Sequence, residues 1–519
     1  MRGAEGGIEG GEGDGEGEGG EGEGAVPIWP AGERTPTLAA WEGLGFGLFI
    51  HFGMSTFTGR DYDEGRAPAS LYAPTALDVR QWVRTARRAG MRYAVLTAKH
   101  MNGFCLWPSA GSDYGVATGG DQTDVVGAFA AACREEGIAP GIYYCILDAR
   151  NERPGHRVDW QAPLSPAYWA LVGRQLRELH ERYGPRGAAW AVQWIDVPGK
   201  LSLEQRQALY ALVKSLSPDC LVLMNHGFCD GTRVRLSCFP TDLVNGERVP
   251  PPEGTGHAPR KCVPADFVPG TAAPAVWDEF VEGMRGRCFY VPMEFSETVG
   301  QAWFGLEDDP PKTVRTLYRL YREARERGAN LLLDVGPDRM GRIPQEVVER
   351  LLELGRVIDD PARLPPPASL TCAGQVTASN VFGQRPEYQP RHAVDEDPTT
   401  RWATDTGTST AWLEVDLGAA ATFDEVRLRE PLGPRVRRFQ VERLEEEGWR
   451  PFLVGTTIGE ELRASFAPVT ARRVRLHIFD AAARTPTPRN VYSTPEAARE
   501  EGPTIAAFEL YAAERRKGG

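Results

Sequence analysis

From residue 41 to about 360, short apolar runs alternate with amphipathic stretches, and this alternation constrains the fold more than any other feature. The strand-like runs are GFGLFIHFG (45–53), RYAVLTAK (92–99), APGIYYC (139–145), AVQWIDV (191–197), CLVLMNH (220–226), a weak one near DLVNGE (242–247), CFYVPMEF (288–295) and NLLLDVGPD (330–338). Helical patterns lie between them. LDVRQWVRTARRAG (77–90) ends on Gly90, a residue that tolerates the left-handed turn closing a helix. A second, 166–183, has Ser165 placed to cap it and Pro166 in its first turn; 203–216, 312–327 and 344–358 follow. Strands alternating with helices pair in parallel through right-handed crossovers. Eight of them predict an α/β fold, a (β/α)8-like barrel. An open doubly wound sheet is the alternative, and no GxGxxG loop follows an early strand to favour it.

Beyond Asp360 the Pro-rich DPARLPPPASL breaks the pattern, and the apolar period changes from that of helices to two. WLEVDLG (412–418), FDEVRLRE (423–430), RRFQVERLE (437–445), RRVRLHIFD (472–480) and IAAFELY (505–511) predict an antiparallel β-sandwich, with TPEAARE (494–500) as a helical insertion. The expected organisation is a disordered tail over 1–24, a barrel over 25–360, a linker over 361–370 and a sandwich over 371–513. The tail is mostly Gly and Glu and cannot offset its chain entropy by burial.

Apolar residues at 41% and charged residues at 25% suffice for an ample core. A net charge of −12 argues against a nucleic-acid partner, and no apolar run is long enough for a membrane-spanning helix. Nine Cys without CxxC pairs read as mostly buried free thiols rather than a disulfide framework or a zinc site. The N-terminus lacks the apolar core of a signal peptide, so a cytoplasmic location is expected; a misplaced start of translation is the competing reading.

In barrels of this kind the reacting groups stand at the C-terminal ends of strands. Here those positions hold His51, Lys99 with His100, Tyr144, Asp196, His226, Glu247, Glu294 and Asp334. Neither HExxH nor a Cys cluster nor an EF-hand loop is present, so no metal or other cofactor is expected. GxSxG and phosphate-binding loops are also missing. Asp196 ends an apolar strand, where a charge is costly unless it is paired or used. A buried salt bridge is the plain explanation. Alternatively, two carboxylates face a sugar across a pocket, one ionised and one kept protonated, which is what glycosidic bond cleavage requires. Tyr143, Tyr144, Trp107, Trp194 and Trp303 lie near the same strand ends and could supply stacking faces.

WEGLGFGLFIHFG (41–53), LTAKHMNGFCLWPS (96–109), GIAPGIYYC (137–145), WID (194–196) and GANLLLDVGPDRMGRIP (328–344) occur in an order that resembles the α-L-fucosidases of glycoside hydrolase family 29. The resemblance implies a retaining double displacement on terminal α-linked L-fucose of an oligosaccharide or glycoconjugate, without a metal. It makes Asp196 the nucleophile, and His51 and His100 ligands of fucose hydroxyls. Trp107, Tyr144 and Trp303 match aromatic positions around the sugar. Two candidates remain for the acid/base. Glu247, in LVNGERVP, resembles the context of members that prefer α-1,3 and α-1,4 links on branched glycans; Glu294, in VPMEFSETVGQAWF, resembles a strand-end Glu of the same group. Glu297 is a more distant possibility, and Glu247 is preferred. Met101 stands where many members have a second His, and Val197-Pro198 where they have Gly. These departures leave two rivals, a degenerate sugar-binding barrel and a glycosidase for a related sugar. Oligomeric state stays open.

The C-terminal region resembles discoidin-like (coagulation factor 5/8 type C) sandwiches through HAVDEDPTTRWATD (392–405), AWLEVDLG (411–418) and PTIAAFELY (503–511). Such modules often bind sugars, which would make Trp402 and Trp412 platforms; core packing is the competing role. Asp395 and Asp397 could hold Ca2+, or cap a turn.

Overall fold

The computed structural model describes residues 29–61, 64–152, 163–184, 190–225, 238–252, 258–268, 280–482 and 502–512. The tail 1–24, His226 and the 494–500 segment lie outside the described residues.

The first unit is a barrel of parallel strands. β1 (Phe46–Ile50), β2 (Tyr93–Lys99), β3 (Ala139–Cys145), β4 (Val192–Asp196), β5 (Leu221–Asn225) and β6 (Val244–Glu247) follow one another. A short antiparallel hairpin, β7 (Arg260–Cys262) and β8 (Cys288–Tyr290), then precedes β9 (Met293–Thr298) and β10 (Ala329–Val335). The sheet order is β5-β4-β3-β2-β1-β10-β9-β6, every neighbour parallel. A bridge from Leu223 to Leu243, with the Asp242 amide donating to the Val222 carbonyl at 2.8 Å, joins the two ends into a ring.

The helices are α1 (Pro36–Leu44), α2 (Met54–Thr58), α3 (Val79–Arg88), α4 (Val125–Glu136), α5 (Pro166–Glu178), α6 (Leu203–Leu216), α7 (Val314–Glu326) and α8 (Gln345–Asp359). Their starts are written in the chain. Asp78, Asp124, Ser165, Ser202 and Thr313 each accept a first-turn amide, and Ser202 with Gln205 forms a reciprocal capping box.

Strand side chains alternate between two cores. Leu48, Leu96, Ile142, Ile195 and Val222 face the helices, while Phe49, Val95, Tyr143, Trp194 and Leu332 fill the barrel. The run CFYVPMEF is not one strand. Val291 and Pro292 separate β8 from β9, because Pro292 has no amide to give to a ladder. Cys262 and Cys288, opposite one another in the hairpin, form a disulfide, which corrects the expectation of unpaired thiols for this pair. Cys105, Cys133, Cys145, Cys220 and Cys238 are buried free thiols.

The second unit is antiparallel. β11 (Gln375–Ala378), β12 (Trp402–Ala403), β13 (Ala411–Arg429), β14 (Val436–Glu445), β15 (Gly448–Gly455), β16 (Leu462–Ala481), β17 (Thr504–Ile505) and β18 (Ala507–Tyr511) surround a core that includes Trp402, Phe423, Phe439, Leu476 and Phe508. The runs read as separate strands at 412–418 and 423–430 are one long strand, β13. Its register against β16 shifts twice, so its first half pairs with β11 and its second with β18. Trp402 is fully buried and its Nε1 donates to the Asn380 carbonyl at 2.9 Å, so it is core and no sugar platform. Asp395 accepts from Thr400 and His392, and Asp397 from Thr399 and the Thr313 amide. These carboxylates close a turn and cap a helix, and no metal-binding cluster occurs among the described residues. No described helix is long and apolar enough to cross a membrane.

Candidate active site

Asp196 closes β4 and remains partly open to solvent. Its Oδ2 accepts from the Tyr143 hydroxyl at 2.5 Å and its Oδ1 from Asn225 Nδ2 at 2.9 Å. The same Asn225 nitrogen donates to Glu247 Oε2 at 3.0 Å. One amide therefore spans two carboxylates. With a hydrogen for each, the bridged oxygens stand about 5 Å apart. Asn225 is itself oriented: its Oδ1 accepts from Asn245 at 3.2 Å, and Asn245 Oδ1 accepts from Ser296 at 3.0 Å. Gly246 permits the tight turn that ends β6 beside Glu247, since a Cβ there would lie 2.3 Å from the Val249 carbonyl oxygen. Burial, then the charge of Asp196, push Glu247 up to about 7, while Asn225 and Arg248 pull it down.

Glu294 also stands at about 7, raised by burial. Electrostatics alone do not separate the two, but position does. Glu294 is the second residue of β9, deep in the barrel and sealed from solvent. Trp194 Nε1 and the Tyr93 hydroxyl donate to its two oxygens, each at 2.8 Å. The expectation of Glu294 at a strand end is corrected: the break at Pro292 puts it at a strand start. Glu297 is held by Lys312 at 3.7 Å and Arg248 at 3.5 Å, and these cations keep it below the usual carboxylate range despite burial.

His51 follows β1, and its Nδ1 lies 2.6 Å from Asp334 Oδ1. Burial favours the uncharged forms of both, taking His51 down to about 3 and Asp334 upward. The His100 ring stacks on Tyr143 at 5.9 Å and faces His51 at 5.8 Å; burial lowers it too. Trp303 lies 5.2 Å from the His51 ring, under the Arg248 guanidinium at 5.1 Å. The Trp303 and Phe304 amides donate to buried Asp61. The structure thus brings Asp196, Glu247, His51, His100 and Trp303 to one mouth of the barrel.

Trp107 and Tyr144 are elsewhere. Trp107 is fully buried against the helices, its Nε1 donating to Glu178 at 2.8 Å. Tyr144 points the same way, its hydroxyl donating to Gln175 at 2.7 Å and its ring under the Lys99 ammonium at 4.3 Å. Lys99 is consumed by Asp148 at 2.8 Å. The neighbouring Tyr143 is the one that faces the pocket, because it pairs with Trp194 in register and shares its inward face. Met101 packs in the barrel interior, and Val197 takes a left-handed conformation (φ 54°), costly for a β-branched residue.

The α-L-fucosidase family model matches residues 61–360, more than half of the chain. This chain belongs to the α-L-fucosidase family. The fucosidase is thereby a glycoside hydrolase, and a F5/8 type C domain model matches residues 375–489. A rice (Oryza sativa subsp. japonica) relative bearing an α-L-fucosidase 1 name is 30% identical, over 85% of this chain and 81% of its own. Alpha-L-fucosidase 1 of Arabidopsis thaliana is 26% identical, over 86% and 84%. The same fold occurs in a glycoside hydrolase 29 family member from an unknown rumen bacterium, 23% identical with a TM-score of 0.51, covering 92% of this chain and 77% of that one.

Two further site residues, Asn225 and Tyr143, carry a signal in the sequence. Asn225 is a polar residue at the end of the fifth strand, next to the expected His226, and Tyr143 is a hydroxyl-bearing residue near the end of the third, expected only as a stacking face. For Asp61 and Arg248, which lie in loops, the chain carries no local signal.

Proposed function

We propose that this fucosidase is an exo-acting, retaining enzyme that removes terminal α-1,3- or α-1,4-linked L-fucose from branched glycans. The observation that carries the mechanism is the Asp196–Asn225–Glu247 bridge. A separation near 5 Å suits direct attack by one carboxylate, whereas an inverting pair needs roughly 6.5–9.5 Å for an intervening water. In the first step Asp196 attacks the anomeric carbon as Glu247 gives its proton to the departing glycosidic oxygen. In the second, the Glu247 carboxylate takes a proton from water, which opens the fucosyl ester and frees Asp196. Glu247 held near 7 can serve in both states at neutral pH. Neutral His51, steadied by Asp334, and His100 bind ring hydroxyls, while Trp303 packs on the apolar face of the sugar. Glu294 supports the pocket floor through Trp194. The linkage preference rests on the NGE context of Glu247.

The test is hydrolysis of an aryl α-L-fucoside and an α-1,3/4-fucosylated trisaccharide by wild type and Asp196→Asn, with the first-formed anomer read by NMR. Release of α-fucose, lost in the variant, supports the reading. β-Fucose as the first product, or activity that survives Asp196→Asn, refutes it.

A further inference from the structure

One loop joins the sandwich to the mouth of the barrel. Residues 299–312 run from the end of β9 towards α7 and carry Trp303 and Phe304. Near the start of this loop, the Gln301 side-chain amide donates to the Thr399 carbonyl of the sandwich. At its far end Asp397 Oδ2 accepts the amide of Thr313, the cap of α7, at 2.8 Å. Asp397 is itself 1% exposed, and its Oδ1 accepts from the Thr399 amide at 3.0 Å and hydroxyl at 2.7 Å. Between these anchors the buried Lys312 ammonium donates to the Thr298 carbonyl at 2.7 Å and to the Gly300 carbonyl. Arg391 of the sandwich pairs with Glu323 of α7 at 3.1 Å. On the barrel side, Arg248 donates to the Gln301 carbonyl at 2.7 Å while covering Trp303.

We infer that the sandwich segment 395–400 is a positioning element of the active site: through Asp397 and Thr399 it fixes the loop that sets Trp303 and Phe304 against His51. The second domain then contributes to turnover without touching sugar itself. The chain of contacts is continuous, and its central member is a buried carboxylate whose oxygens are both engaged, so it holds one geometry. The inference rests on Trp303 being a wall of the sugar site. A wall of that kind contacts substrate and transition state alike, so loosening it raises KM more than it lowers kcat.

Asp397→Ala and Gln301→Ala in the full-length chain test this, with Arg472→Ala, on an exposed face of the sandwich, as control. Two readouts separate the loop from the catalytic assignment: hydrogen exchange of amides 299–312, which needs no activity, and KM with kcat on an aryl α-L-fucoside. Both variants should speed exchange in that segment roughly tenfold or more, and raise KM roughly three- to thirtyfold with kcat changed less. The control should do neither. Unchanged exchange, or faster exchange with unchanged KM, overturns the inference. If Asp397→Ala does not fold, Gln301→Ala decides. A wild-type chain inactive on both the aryl fucoside and the α-1,3/4-fucosylated trisaccharide refutes the proposed activity and with it the role in turnover, whereas faster exchange in the variants would still show that Asp397 and Gln301 hold the 299–312 loop.

Discussion

Replacing Asp196 by Asn should let Glu247 ionise at a lower pH. Asn225 contacts the two carboxylates at 2.9 and 3.0 Å, which places their facing oxygens about 5 Å apart. At an effective dielectric constant of about 20, two unit charges at that distance repel by roughly 3 kcal/mol, equivalent to about 2 pH units. Glu247 stands at about 7, against 4.5 for the unperturbed side chain. Burial is the largest cause and the charge of Asp196 the second, with Asn225 and Arg248 opposing both. Asn keeps the shape and the burial but removes the charge, so the midpoint should fall by roughly one to two pH units. The assay is an infrared pH titration of the carboxylic acid carbonyl band in Asp196→Asn, subtracting Asp196→Asn/Glu247→Gln so that only Glu247 contributes. The wild-type midpoint comes from the same subtraction with Glu247→Gln alone. A midpoint that stays put or rises would mean that the two carboxylates do not sense one another, and the electrostatic coupling argued from the Asn225 bridge would be refuted.

Further outcomes follow from these and other contacts of the structure. Glu247 must hold its proton to act as acid and loses it as pH rises through about 7, so kcat/KM on poor leaving groups should fall above that pH. Glu247→Gln should abolish this limb and cost roughly 10²–10⁴-fold, with little effect on an activated aryl fucoside. Asn225→Ala should lower kcat/KM by roughly 10²-fold in steady-state assays, because it removes two hydrogen bonds to carboxylates. Tyr93→Phe leaves buried Glu294 with one donor fewer and should reduce unfolding free energy by about 1–3 kcal/mol in urea, with KM unchanged. Reducing the Cys262–Cys288 disulfide, which spans 26 residues, should cost about 3.5 kcal/mol by chain entropy, read as a shifted urea midpoint with and without dithiothreitol.

Much of the barrel is legible in the chain because its signals are local. Helix caps such as Ser165 and Ser202 act on amides a few residues away, and alternating apolar runs leave parallel pairing as the way to cover both faces of a sheet. Asp196 is visible for the same reason: a carboxylate ending an apolar strand is a cost that demands an explanation. What the tertiary structure alone decided depends on register. Tyr143 and Tyr144 are adjacent and chemically identical, yet only pairing with β4 sends the first into the pocket and the second to the helix layer. Trp107 sits in a family-like motif, but Glu178 holds it outside the barrel. Glu294 and Glu247 are both raised to about 7, and only the interruption at Pro292 places one at the floor and the other at the mouth. The bridge through Asn225 joins the ends of three strands, and the Cys262–Cys288 bond closes a hairpin across 26 residues. Each is a distance between segments far apart in the chain. Such distances exist only once the barrel has closed, because a strand carries its period of two wherever it goes, but its face and depth are set by its neighbours.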